Sequence, residues 1–168
     1  MIGDYTIRNA HDICINKVIT LPNNRITSCS MDKTIKIWKS DAPYSDTPIK
    51  VLEWHTFFVT SLLYIKERDI MISGSHDGIL CLRNMSTYIC DKVIKGVKCC
   101  STNSLYQIDK DRVIVSGRNT FTIVNIDKYA IEKIIINKSF GDVHCFLKLR
   151  NNHTILCGCS DKYFCSMI

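Results

Sequence analysis

Proline and glycine are both scarce. The chain of 168 residues holds three prolines and seven glycines, which argues against a long linker or a low-complexity tail. Long hydrophobic runs are also missing. Apolar stretches such as Ile70–Ile72 and Ile134–Ile136 are short, far below the ~20 residues that cross a bilayer as a helix, so no membrane role is expected. The opening residues, MIGDYTIRNAHD, lack a basic patch followed by an apolar stretch. No secretory leader is expected, and a cytoplasmic or nuclear location follows. No C-x-x-C pair, G-x-S-x-G elbow, G-x-G-x-x-G or phosphate loop occurs, so a metal, a cofactor and an enzymatic activity are not expected. Runs of one charge are absent too. The net charge is +6, yet the lysines and arginines are scattered in ones and twos. That pattern reads as a solvated, mildly basic surface, and only the net charge speaks for nucleic acid.

Cysteine, by contrast, is abundant, with ten residues. Without a leader these thiols are expected to stay reduced. Cys14, Cys29, Cys81, Cys157 and Cys165 sit in apolar or alternating segments, where cysteine acts as a small core residue. Cys157, Cys159 and Cys165, with His144, Cys145 and His153 upstream, invite a zinc reading. However, Cys157 and Cys159 are two apart on a strand and share a face, so core packing is the stronger reading. Cys99-Cys100, near Lys95 and Lys98, is a candidate reactive thiol pair, set against ordinary loop cysteines. Asn84, Asn137 and Asn152 each open an Asn-x-Ser/Thr triplet, which carries little weight without a leader.

The strongest positive signal is an internal repeat. Four segments align: Arg25 to Lys39, Asp69 to Asn84, Arg112 to Ile126 and Thr154 to Ile168. Asp32, Asp77 and Asp161 fall at equivalent places, with Asn119 near the matching place in the third. The spacing is about 40–45 residues, the period of a four-stranded repeat unit. Each segment reads as strand, tight turn, strand. The turns carry Asp-Lys, Asp-Gly or Asn-Thr, residues suited to tight backbone angles. In Thr34–Trp38 polar and apolar residues alternate, placing Ile35 and Ile37 on one face. Further strands are predicted upstream at Ile15–Leu21, Val59–Ile65, Ser104–Ile108 and Val143–Leu149, and downstream at Ile49–Leu52, Lys92–Ile94 and Lys133–Ile136. A lone strand at Tyr5–Arg8 brings the expected count to sixteen. No segment keeps a helical period, so the fold is expected to be all-β.

These residues resemble the WD-repeat β-propeller family. The first unit has Asn-Ala-His at its start, Ser-Cys-Ser-Met-Asp in the middle and Lys-Ile-Trp-Lys at its end. The second has His55 and Ser-Gly-Ser-His-Asp-Gly, with Arg83 at the Trp position. The third and fourth keep the strand rhythm but lose the His, and Asn125 and Met167 take the Trp places. The resemblance implies an all-β propeller of four-stranded antiparallel blades, about four in this chain, the last two degenerate. It forms one domain over 1–168, with units near 11–52, 55–94, 97–136 and 141–168, and strand 5–8 completing the last blade.

The resemblance also implies a hydrogen-bonded set within each blade: His11, Ser28, Asp32 and Trp38 in the first, and His55, Ser73 and Asp77 in the second. The same His, Ser and Asp can be drawn as a hydrolase triad, but their repeat-equivalent places favour a structural role. A protein-interaction scaffold is implied, with protein partners and no turnover. A nucleic-acid-associated subunit is the alternative. A membrane-lipid propeller would show Phe-Arg-Arg-Gly, which is absent. Partner contacts are expected on the loops: Asp12, Lys33, Phe57, Phe58, His76, Arg118 and Lys162, with Phe57 and Phe58 as an aromatic anchor. The polar stretch 40–48, with Thr47-Pro48, is a candidate flexible or regulatory loop. Four blades lie at the low end for a propeller, so a homo-oligomer or a larger complex is a further expectation.

Overall fold

The computed structural model describes residues 6–41, 45–99, 105–136, 143–148, 155–159 and 164–167. Among these residues the regular structure is fifteen strands and one short 3-10 turn. The strands are β1 Ile15–Leu21, β2 Arg25–Ser30, β3 Thr34–Lys39, β4 Lys50–Glu53, β5 Val59–Ile65, β6 Ile70–Ser75, β7 Ile79–Asn84, β8 Cys90–Lys95, β9 Leu105–Gln107, β10 Arg112–Gly117, β11 Thr120–Asn125, β12 Ala130–Ile136, β13 Val143–Lys148, β14 Ile155–Cys159 and β15 Phe164–Met167. They form four antiparallel sheets, each from consecutive strands: β1–β4, β5–β8, β9–β12 and β13–β15. The first strands of neighbouring sheets meet, β1 against β5 and β5 against β9. The fourth strands, β4, β8 and β12, lie at the outer edges. This is the blade arrangement that the repeat implies.

The turns explain why the chain folds back where it does. Lys33, Gly78 and Asn119 each sit just before β3, β7 or β11, and all three have positive φ, 73°, 79° and 57°. A residue in the left-handed region lets a short hairpin match the twist of its strands. The third loop, Arg118-Asn119, is one residue shorter than the loops at 31–33 and 76–78. Asn119 therefore matches Lys33 and Gly78 rather than Asp32 and Asp77, and the third blade has no residue at the Asp place. The register corrects the Trp place as well. Trp38 lies opposite Ile26, and Arg83 opposite Met71. In the third blade the residue opposite Val113 is Val124, not Asn125.

The core lies between the sheets. Leu21, Cys29, Ile35, Ile37 and Leu52 of the first sheet pack on Val59, Leu62, Met71 and Met85 of the second. Ile65, Ile72, Leu80, Leu82 and Ile94 pack on Leu105, Val113, Val115, Val124 and Ile126 of the third. Ile114 and Phe121 pack on Val143 and Cys157 of the fourth. Cross-blade polar contacts join these layers at the surface. Arg68 pairs with Asp111 and Asp127, and the Arg25 guanidinium donates to the Tyr88 hydroxyl.

Three expectations change. Thr6 and Ile7 carry no regular structure and Arg8 opens a turn, so residues 6–8 supply no strand to β15. Tyr5 lies outside the described residues. Among the described residues there are fifteen strands where sixteen were expected, and the last sheet has three. The thiols are not all reduced either. Cys81 of β7 is joined to Cys90 of β8 by a disulfide, their Cα atoms 6.1 Å apart, because neighbouring strands hold the two residues within bridging range. Cys14, expected in the core, is exposed.

Candidate functional site

The polar groups that the sequence singles out gather at one end of the blades, where each chain entry meets the β2–β3 or β6–β7 turn. His11 Nδ1 lies 2.7 Å from Asp32 Oδ2, and its Nε2 lies 2.7 Å from Ser28 Oγ. Trp38 Nε1–H donates to Ser28 Oγ at 2.8 Å. With one Ser28 lone pair accepting from the indole, its hydroxyl is free to donate to Nε2, and Nδ1–H then donates to Asp32. Asp32 also accepts from the Thr34 hydroxyl and amide and from the Asp12 amide. Burial alone would raise the Asp32 carboxyl, but the bonds from Thr34, His11 and Asp12 outweigh it and bring it to about 2. The carboxylate is thus a tether for two chain segments.

The second blade repeats this arrangement. His55 Nδ1 lies 3.0 Å from Asp77 Oδ2 and Nε2 lies 2.8 Å from Ser73 Oγ. The amides of Thr56 and Ile79 donate to Asp77. Burial holds the His55 ring below its ordinary value, outweighing the Asp77 partner. Arg83, at the Trp place, is buried and does not reach Ser73. Its Nη1 donates to the Tyr88 carbonyl at 2.5 Å and its Nη2 to Cys81 Sγ at 3.7 Å, while its Nε has no hydrogen-bond partner. Burial lowers its pKa.

This geometry does not suit nucleophilic catalysis. The His11 side chain has no exposed surface and Ser28 is buried. The Ser28 oxygen is capped by the indole and has no open side toward which a substrate could approach. The structure brings His11, Ser28, Asp32 and Trp38 together, and His55, Ser73 and Asp77 together, as interior braces.

Of the expected partner-contact residues, those that the structure describes lie at the same end. Asp12, Lys33, Phe57, His76 and Arg118 are exposed and Phe58 is half-buried. The Phe57 and Phe58 rings lie 4.3 Å apart, and His76 stacks on Phe57 at 6.2 Å with its plane tilted only 17°. Phe57 keeps 45% of its surface exposed. The backbone fixes the group: the His76 amide donates to the Phe58 carbonyl, and the Ser75 hydroxyl to the Phe57 carbonyl. Lys162, Cys100, His153 and residues 42–44 of the polar loop lie outside the described residues. Among the described residues no three His, Cys, Asp or Glu side chains gather as a metal site. Cys157 is buried and Cys159 half-buried. Cys99 is buried in the core between the second and third sheets, which removes it as an accessible reactive thiol.

Sequence reasoning missed Thr34 and a second repeated motif. Asn84 Oδ1 accepts from the amides of Ser86 and Thr87, and Asn125 Oδ1 from those of Asp127 and Lys128. Tyr88 and Tyr129 then take positive φ, 63° and 54°. The signal was present as Asn-x-x-x-Tyr, repeated in the second and third units.

Comparison with known proteins agrees with this geometry. The family model described as WD domain, G-beta repeat, matches residues 5–39 and 46–84. The chain is similar to the ubiquitin homeostasis protein lub1 of Schizosaccharomyces pombe, 26% identical over 79% of this chain and 18% of that protein. It is similar to the human DDB1- and CUL4-associated factor 10, 28% identical over 49% of this chain and 14% of that one. Nuclear distribution protein nudF of Aspergillus niger is 27% identical over 59% of this chain and 22% of its own. The solved WD40 β-propeller domain of Doa1 superposes with a TM-score of 0.74 at 21% identity, covering 92% of this chain and 50% of that one. The chain thus spans about half of that solved chain and a fifth or less of lub1 and the human factor. Among the described residues no helix is long and apolar enough to cross a membrane.

Proposed function

We propose that this chain, whose first two blades match the WD-repeat model and whose fold is that of propeller blades, is a non-catalytic adaptor that holds protein partners on the loop end of its blades. The observation that carries this reading is the Phe57, Phe58 and His76 group. It is an aromatic cluster, partly exposed and fixed by hydrogen bonds to the Phe57 and Phe58 carbonyls, at an end where the inner polar groups are already paired with one another. A rigid aromatic patch with satisfied polar neighbours suits a protein contact better than turnover. Lys33 and Arg118 on the neighbouring turns add cationic rim contacts, which favour an acidic partner surface. The names of two relatives, one associated with DDB1 and CUL4 and one with ubiquitin homeostasis, point toward protein assemblies as the setting.

Affinity capture with the immobilised chain, from extract treated with nuclease, tests the proposal against a Phe57→Ala/Phe58→Ala variant. Partners retained by the native chain and lost by the folded variant support it. Retention that the variant leaves unchanged overturns the assigned surface. Salt-dependent binding of random single-stranded oligonucleotides favours the nucleic-acid alternative instead.

A further inference from the structure

The outer strands β4, β8 and β12 differ in how they protect their open edges. A sheet edge offers unpaired N–H and C=O groups to any passing strand, and proteins blunt it with short strands or with charge. β4 has four residues, Lys50–Glu53, with a charge at each end. β8 carries Asp91, Lys92 and Lys95 among its six residues. β12 is the longest of the three, with seven residues; Glu132 and Lys133 lie at its middle, and Ile134–Ile136 beyond them has no charge. Ile134 and Ile136 leave 52% and 70% of their surface exposed. β12 ends the strand order of its sheet, so its outer edge has no strand neighbour among the described residues.

The isoleucines sit beside a small pocket. Ile134 and Ile136, with Thr120 and Thr122 of β11, face Gly96 and Lys98 across the seam between the second and third blades, around a cavity of about 170 Å³. Lower on the same seam, Lys92 lies 5.2 Å from the Tyr129 ring centre, beside a cleft of about 290 Å³ with Ile70, Leu82 and Ile126 in its lining. Among the described residues no carboxylate pairs with Lys92 or Lys98. The seam therefore offers an open edge, apolar side-chain positions, Lys98 as the charged group of the upper pocket, and Lys92 in a lower cleft that Asp91 and Arg68 also line.

We propose that β12 is a second docking site, on the rim of the blades, which takes an extended acidic segment of a protein partner as an added strand. Main-chain hydrogen bonds to the edge would supply affinity. Successive side chains on one face of the added strand would carry both contacts, aliphatic ones entering the pocket against Ile134 and Ile136 and carboxylates on that same face meeting Lys98 and Lys92. This site is separate from the aromatic cluster at the loop end.

The probe is a fluorescent seven-residue peptide with valine and glutamate together on one face of the strand and threonine on the other, read by anisotropy with the full chain. Saturable binding is expected. Lys98→Glu should weaken it about fivefold, the scale of one exposed charge contact reversed. Ile134→Lys/Ile136→Lys should abolish it, and both positions are exposed enough that an unchanged melting curve can verify folding. N-methylation of alternate peptide nitrogens should also abolish it, which distinguishes strand addition from simple apolar adhesion. Phe57→Ala/Phe58→Ala should leave it unchanged, so the two sites stand or fall separately. Equal binding of a peptide with lysine in place of glutamate overturns the proposal, as does absence of saturable binding. Self-association of the chain that Ile134→Lys/Ile136→Lys removes also overturns it, since the occupant is then a second copy.

Discussion

Asp32 is the residue on which the first blade's local order converges. It accepts hydrogen bonds from one ring, one hydroxyl and two amides. Asp32→Ala would orphan these donors and is expected to cost about 2–4 kcal/mol in urea unfolding. Protonation works on different windows in the two blades. The Asp32 carboxyl is held at about 2, below its ordinary 3.8, so its stabilisation is complete above 3.8 and is lost as pH falls toward 2. The His55 ring is held below its ordinary 6.5. The unfolded chain then binds the proton first, so stability is complete above 6.5 and declines as pH falls below it. The melting temperature should therefore drop between about pH 7 and about pH 5, and His55→Gln should flatten that slope; a flat native profile would contradict the assignment. Arg83 gives a prediction of opposite sign. Its buried Nε lacks a partner, and Ser73 lacks the indole donor that Ser28 has. Arg83→Trp is expected to raise stability by about 1 kcal/mol, read from the urea midpoint. The Asp places were legible from the repeat spacing, and the His and Ser that join them from the family resemblance. The burial of Arg83 was not, since no local pattern states what a cationic side chain packs against.

At the level of the strands, the sequence was informative wherever alternation and turn residues coincided. β1 and β5 have the bounds that the pattern predicts, Ile15–Leu21 and Val59–Ile65. Register was harder, because deleting one loop residue at Arg118-Asn119 shifts every equivalence after it. That shift placed Asn125 at the Trp position, whereas it caps the turn into β12. The hairpin turns supply a paired test. Lys33 holds φ at 73° where the second blade has Gly78 at 79°. Lys33→Gly should stabilise by about 0.5–1 kcal/mol, and Gly78→Val should destabilise by about 1–2 kcal/mol, both measured by thermal melting. Equal effects at the two sites would show that the turns are not equivalent. The Asn-x-x-x-Tyr turns went unread because their repeat lies outside the motif that drew attention.

Across the whole molecule, each sheet has one face toward the next and one away. The register row Val18, Ser28, Lys36 and Val51 faces away from the second blade, and Val18 and Val51 keep 53% and 39% of their surface exposed. At the far end Leu147 is also exposed. These exposed aliphatic positions on a body that spans half of a solved propeller chain should make this chain self-associate with rising concentration. Light scattering would register it, and Val18→Glu/Val51→Lys should reduce it; a concentration-independent monomer would contradict the reading. The all-β fold and the blade period were plain in the sequence. The exposed positions were not, because a strand's alternation is the same whether or not a neighbour covers it. Among the described residues every sheet is woven from strands adjacent in the chain. Each blade can therefore pair its strands as soon as its own forty or so residues leave the ribosome, without waiting for any later segment. The two braced blades emerge before the other two, so the loosely specified ones that follow meet a finished template during synthesis.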